Sequence, residues 1–322
     1  MGFFKKLFSG EEPSAEEREQ KRQENDFDVL KYDGIHALRI GRLTYAIACF
    51  THALDIQEDQ ETREHLAMAY IRNDDLESAR EEFGRLSELH PDDLNYPTNK
   101  ANLLYELEEY EESREICTDL LERDSSLAFP SYILGLIAKA EDKLDDADEN
   151  LSFAISKREG FIDAILARSE VRYSKGDYAD AMKDIDYLIE NEHGSDEVLL
   201  QKGLILEAMG ETEEAIIYYN NVLSNNPFFI SAFGNLASLL IKEGKYDKAS
   251  EVIEEGLEHN DESSLLIGIR AELKSAMGDS AGAEADRKYA EELKAAEEER
   301  ENEDYDVERE MLERQKAINP LI

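Results

Sequence analysis

The stretch GDYADAMKDIDYLIENEHG, residues 176–194, places Tyr178 two residues after a glycine, Ala181 three further on, and Ile185 and Leu188 on the same helical face. Thirty-four residues later the chain repeats the phrase as GETEEAIIYYNNVLSNNP from Gly210, and thirty-four after that as GKYDKASEVIEEGLEHND from Gly244. The same ruler carries the small residue of each phrase to Ala46, Ala79, Ser113, Ala147, Ala181, Ala215, Ala249 and Ala283, in steps of 33, 34, 34, 34, 34, 34 and 34. The one short step falls in the turn after Asp55, where losing a residue disturbs no packing face. Periodicity of this length predicts a stack of similar units in place of one globular core.

The unit Asp196–Phe229 serves as the model. Leu199, Leu206 and Met209, with Gly203, form an apolar stripe on a first helix, and Thr212, Ala215, Ile216, Tyr219 and Val222 form another on a second. Gly210 lets the backbone leave the first helix with positive φ, Glu211, Glu213 and Glu214 favour the start of the next, and Pro227 ends the hairpin. Counting from Asp196, positions 8 and 20 are Gly203 and Ala215, small enough for two helices to approach closely. The equivalent pairs are Gly34 and Ala46, Ala67 and Ala79, Ala101 and Ser113, Gly135 and Ala147, Ser169 and Ala181, Ala237 and Ala249, and Ala271 and Ala283. The expected fold is therefore all-α, about eight antiparallel helix hairpins with a 34-residue period, in units beginning near 27, 60, 94, 128, 162, 196, 230 and 264. The solenoid is expected over residues 27–290, preceded by an amphipathic segment and acidic linker over 1–26 and followed by a charged helix or tail over 291–322.

On these residues the chain resembles the tetratricopeptide repeat family, in its bacterial-type form. The glycines at the turn (Gly41, Gly176, Gly210, Gly244, Gly278), the bulky residue four after the second small one (Phe50, Phe83, Leu151, Ile185, Tyr219, Ile253) and the terminal prolines Pro91 and Pro227 carry the likeness. The resemblance implies a right-handed superhelix whose concave face is lined by the first helices. It also implies a non-enzymatic interaction scaffold or adaptor that holds a protein or peptide in that groove. The alternatives are an assembly subunit that uses its ends or convex face, or an enzyme with an unrecognised site. Groove positions in the third to fifth units hold Asn95, Asn102, Tyr105, Phe129, Tyr132, Leu136, Lys139 and Tyr173, a blend of aromatics and amides suited to an extended peptide or a helix. Of the carboxylate-clamp pattern, Lys31 matches, whereas Ile35, Glu64 and Met68 do not.

Charge narrows the partners. Lys and Arg number 36 against 76 Asp and Glu, a formal charge of -40 that repels nucleic acid phosphates. The acids that crowd the second helices read as a solvated outer face. Cys49 and Cys117 lie in separate units and offer neither a disulfide framework nor a metal cluster, as in a reducing compartment. Acid pairs such as Asp74–Asp75 and Asp145–Asp146 fall at turns and helix starts, where Asp is favoured anyway, and the six histidines form no ligand-spaced motif. No catalytic residue, cofactor or metal is expected.

At the start, MGFFKKLF gathers Phe3, Phe4, Leu7 and Phe8 beside Lys5 and Lys6, ahead of the helix-breaking Pro13. Residues 1–10 suit weak, reversible contact with a membrane surface, docking on a partner, docking on the first repeat, or a tail with no seat. No run of eighteen apolar residues and no secretory-type core occurs, so the expected location is cytoplasmic, with peripheral contact to the inner membrane face as an option.

Overall fold

The computed structural model describes residues 14–297, which form sixteen α-helices and no β-strand. They pair in chain order as α1 (Ala15–Arg39) with α2 (Leu43–Ile56), α3 (Gln60–Arg72) with α4 (Leu76–Leu89), and α5 (Asn95–Glu106) with α6 (Tyr110–Arg123). There follow α7 (Ala128–Ala140) with α8 (Leu144–Lys157), α9 (Ile162–Lys175) with α10 (Tyr178–Glu190), and α11 (Asp196–Met209) with α12 (Thr212–Asn225). Last come α13 (Ile230–Lys242) with α14 (Tyr246–His259) and α15 (Ser264–Ala276) with α16, residues 280–297. The chain divides into two compact units, α1–α6 up to Ser125 and α7–α16 from Ser126.

All eight hairpins turn the same way. The residue that leaves each first helix has positive φ, at Gly41, Gly176, Gly210, Gly244 and Gly278, but also at Asp74, Glu108 and Asp142, with φ of 59°, 59° and 58°. The next N–H then reaches back five residues, from Arg42 to the Ala37 carbonyl in the first hairpin to Asp279 on that of Lys274 in the last, at 2.8–3.0 Å in every case. Three hairpins therefore hold a side-chain-bearing residue in a left-handed backbone that glycine adopts at less cost.

Close approach fixes the rest of each hairpin. All sixteen residues at positions 8 and 20 are buried, and the thirteen that carry a side chain have no exposed surface. At the three glycines of position 8 the bulky residue opposite fills the space a side chain would need. A Cβ added to Gly34, Gly135 or Gly203 would stand 2.6, 2.6 and 2.5 Å from Phe50, Leu151 and Tyr219 respectively. Where serine takes a small position its hydroxyl is satisfied across the hairpin, Ser113 on the Ala101 carbonyl at 2.7 Å and Ser169 on that of Ala181 at 3.2 Å.

Within each unit the second helix of one hairpin packs on the first helix of the next, so a first helix is covered from two sides. That widens its buried arc beyond the expected stripe. On α11 the buried residues are Val198, Gln201, Gly203, Ile205 and Leu206, while Leu199 is half-buried and Met209 is 43 % exposed. Val198 and Ile205 join Ile165, Ile185 and Leu188 of the preceding hairpin. A second difference lies at the start. Helix α1 begins at Ala15, ahead of the register, because Ser14 and Glu17 form a reciprocal capping box with bonds of 3.1 and 2.9 Å. Residues 15–26 are exposed, so capping and propensity hold this extension without a packed face.

Two substitutions test this packing. Ala215→Leu is expected to cost about 1–3 kcal/mol by overpacking, against less than about 0.5 kcal/mol for exposed Glu213→Gln, in chemical denaturation. Glu108→Gly is expected to leave stability unchanged or to raise it by up to about 1 kcal/mol by relieving the left-handed strain, where glycine in a helix interior would lower it.

Candidate functional site

In residues 126–297 the first helices touch one another along the stack, α7 with α9, α9 with α11, α11 with α13 and α13 with α15. None of the second helices α8, α10, α12 and α14 touches another of them. The first helices thus occupy the inside of this unit's curve and the second helices the outside. On these first helices Phe129, Tyr132, Leu136, Lys139, Leu166, Tyr173, Leu200 and Leu204 are all half-buried.

Five of the eight sequence-derived groove residues lie here. Phe129 and Tyr132 meet each other at 5.5 Å between ring centroids and both meet buried Phe161, at 5.9 and 5.0 Å. Leu136 packs on the same cluster. These three therefore belong in part to the hairpin core, and Phe161, from the turn before α9, is the residue the register did not reveal. Lys139 is ion-paired with Glu170 on the next first helix. Tyr173 rests on Tyr178 at 5.7 Å, and burial, followed by the nearby Glu207 carboxylate, pushes its hydroxyl above the usual tyrosine range.

The other three lie on α5 in residues 14–125. Asn95 is exposed and its amide donates to Asp93 at 2.9 Å. Asn102 and Tyr105 are half-buried, and Tyr105 rests on Tyr110 at 5.9 Å, the counterpart of the Tyr173–Tyr178 contact. Beside them Tyr96 bonds to Glu64 and accepts from Gln60 at 2.5 Å, and burial, then the Glu64 carboxylate, pushes its hydroxyl to about 12. In the first hairpin Lys31 is held by Asp59 at 2.8 Å and Glu61 at 2.7 Å with its side chain only 14 % exposed. Burial pulls its pKa down, yet the two acids outweigh that and raise it. Its charge is already met, which removes it as the seed of a carboxylate clamp. Phe3, Phe4, Leu7 and Phe8 fall outside the described residues.

The outer-face reading of the second-helix acids needs one correction. Glu82, Asp184 and Asp286 are buried, each one turn from the small residue of its helix. Asp184 accepts from Arg168 at 2.6 and 3.0 Å and from Arg172 at 2.9 Å. Asp286 accepts from Arg270 at 2.8 and 2.9 Å and pairs with Lys274 at 2.7 Å, and Glu82 is bound by Arg63. Buried carboxylates survive only when paired, and here each clamps two helices of its hairpin. The Arg168–Asp184 and Arg270–Asp286 spacing of sixteen residues was the available signal.

These acids are not catalytic devices, since their cations neutralise them. Among the described residues no group of three His, Cys, Asp or Glu is placed to hold a metal ion. Cys49 and Cys117 are free and buried, and burial pushes the Cys117 thiol to about 12, far from a reactive thiolate. No helix among the described residues is long and apolar enough to cross a membrane.

Family models described as tetratricopeptide repeat match residues 65–128, 196–229 and 230–261, the last two beginning at the unit starts 196 and 230. These stretches are tetratricopeptide repeats. The chain is 24% identical over 271 residues to the Bos taurus DnaJ homolog subfamily C member 3, across 82% of this chain and 49% of that one, so the chain spans about half the length of the curated relatives it matches. A solved tetratricopeptide repeat protein from Parabacteroides merdae is similar at 18% identity and a TM-score of 0.61, covering 73% of this chain and 93% of that one. PilW, a type IV pilus biogenesis factor, is similar at 18% identity and a TM-score of 0.55, covering 63% and 92%. These likenesses show the fold. Tetratricopeptide repeats are generally non-enzymatic protein–protein interaction scaffolds with a concave peptide-binding groove.

The buried clamp gives a pH test. Burial works against ionisation of Asp286, but Arg270 and Lys274 prevail and hold its carboxyl below the ordinary range. A depressed carboxylate contributes stability above its unfolded pKa and loses it as pH falls through the folded one. Asp286→Asn is therefore expected to be less stable than the parent chain at pH 7, with the difference shrinking toward pH 3, in denaturation at the two pH values.

Proposed function

We propose that the chain is a non-enzymatic adaptor that holds a polypeptide partner against the inward faces of its first helices. The observation that carries this is the arrangement of α7, α9, α11, α13 and α15, which touch in series and leave half-buried Leu136, Leu166, Leu200 and Leu204 in a row open on one side. Side chains of this kind are already ordered by the core behind them, so a partner covers apolar surface without a large ordering cost. Tyr173, braced by the first residue of its second helix, adds broad contact and a hydroxyl, and Tyr105 is braced in the same way on α5 of the other unit. The charge of -40 weighs against nucleic acid as the partner.

Residues 1–10 supply a second, weaker contact in this reading, through Phe3, Phe4, Leu7 and Phe8 with Lys5 and Lys6, to a membrane surface, a partner or the first repeat. The working location is the cytoplasm, supported by two thiols buried far apart in sequence. A form beginning at Glu11 compared with the whole chain in vesicle sedimentation tests the membrane arm, with equal pelleting removing it.

Affinity capture tests the groove. Tyr173→Ala is expected to weaken recovery of a partner by about tenfold, the scale of truncating one contact worth about 1–2 kcal/mol, while Ile217→Ser on the outward helix leaves it unchanged. Equal recovery by both variants would remove the inward face from the account.

A further inference from the structure

We infer that the inward face of residues 126–297 selects a cationic partner, a segment in which leucine-sized side chains are flanked by lysine or arginine; this rests on the groove reading above. Every lysine and arginine on α7, α9, α11, α13 and α15 already faces a carboxylate of this chain. Lys139 meets Glu170, Arg168 and Arg172 meet Asp184, and Lys202 meets Asp186 at 2.7 Å. Lys175 meets Asp145 at 2.8 Å, Arg270 and Lys274 meet Asp286 at 2.8 and 2.7 Å, and Lys242 meets Glu207 at 3.7 Å. No cation is left over to receive an acidic partner.

Acids are left over. Asp163, Glu197 and Glu272 are exposed and stand in no ion pair among the described residues. Asp163 and Glu197 occupy the register position of Phe129, and Glu272 that of Leu136 and Leu204, so all three belong to the inward face. Asp163 and Glu197 stand one turn before the half-buried Leu166 and Leu200 on α9 and α11. An apolar strip edged by uncompensated carboxylates complements a segment of opposite charge and repels one of its own. Acidic residues on the outward helices do not make this distinction, because they flank no comparable row of leucines.

The test is fluorescence anisotropy with the whole chain and three labelled twelve-residue peptides, one of leucine and lysine, one with glutamate for lysine, and one with serine for leucine. The leucine–lysine peptide is expected to bind at least about tenfold tighter than either other peptide, and more weakly as salt rises from about 50 to 300 mM. The inward variant Asp163→Asn, Glu197→Gln, Glu272→Gln is expected to lose about tenfold in affinity. The outward variant Glu213→Gln, Glu214→Gln, Glu258→Gln, of equal charge change, is expected to stay within about twofold. Equal losses in the two variants would mean attraction to bulk charge and would overturn the inference. Equal binding of the lysine and glutamate peptides, both lost in Leu166→Ser, would overturn the charge preference and leave the groove standing. Failure of all three peptides to bind would overturn both.

Discussion

The contact between a small residue on one helix and a bulky one on its partner sets every other dimension of this chain. With glycine at Gly203 the ring of Tyr219 lies where a Cβ would be, and with glycine at Gly135 Leu151 takes that place. Helices held this close can form only a narrow hairpin. Its apolar faces are then too broad to be satisfied within it, and each first helix must also be covered by a neighbouring hairpin. The stack follows from that deficit, and so does the division of labour between inward first helices and outward second helices.

Charge is distributed according to the same geometry. Where an acid falls next to the small residue of a second helix it is drawn into the hairpin and must be met by arginine or lysine, as at Glu82, Asp184 and Asp286. In residues 126–297 Asp184 and Asp286 take four of the eight cations of the first helices, and Asp145, Glu170, Asp186 and Glu207 face the other four. The inward surface is left with leucines and carboxylates, a consequence of packing inside the hairpins that nonetheless defines what chemistry the surface presents to a partner.

Much of this was legible because a stacked repeat writes its contacts at fixed intervals. The sixteen small residues and the turn glycines follow from one ruler laid from Ala181, whereas the groove positions come from the family resemblance. What escaped it depends on more than one interval. Asp74, Glu108 and Asp142 adopt the glycine conformation because the hairpin on either side imposes it, a tertiary demand that no local propensity announces. The burial of Val198 and Ile205 comes from the neighbouring hairpin, and the placement of Phe161 against Phe129 and Tyr132 comes from the turn between two. The early start of α1 was written in Ser14 and Glu17, a cap signal that the repeat register hides by drawing attention to residue 27. The candidate groove residues divide on the same ground. Phe129, Tyr132 and Leu136 serve core and surface together, so residue type alone does not separate the two roles.

The central claim is that partners meet the first helices and not the second. Photo-crosslinking within living cells addresses it directly, with a benzophenone amino acid placed either at Leu200, half-buried on α11, or at Ile217, 57 % exposed on α12 of the same hairpin. The account predicts a discrete crosslinked partner from position 200 and none from position 217. A discrete product from position 217 alone would place recognition on the outward face and contradict it.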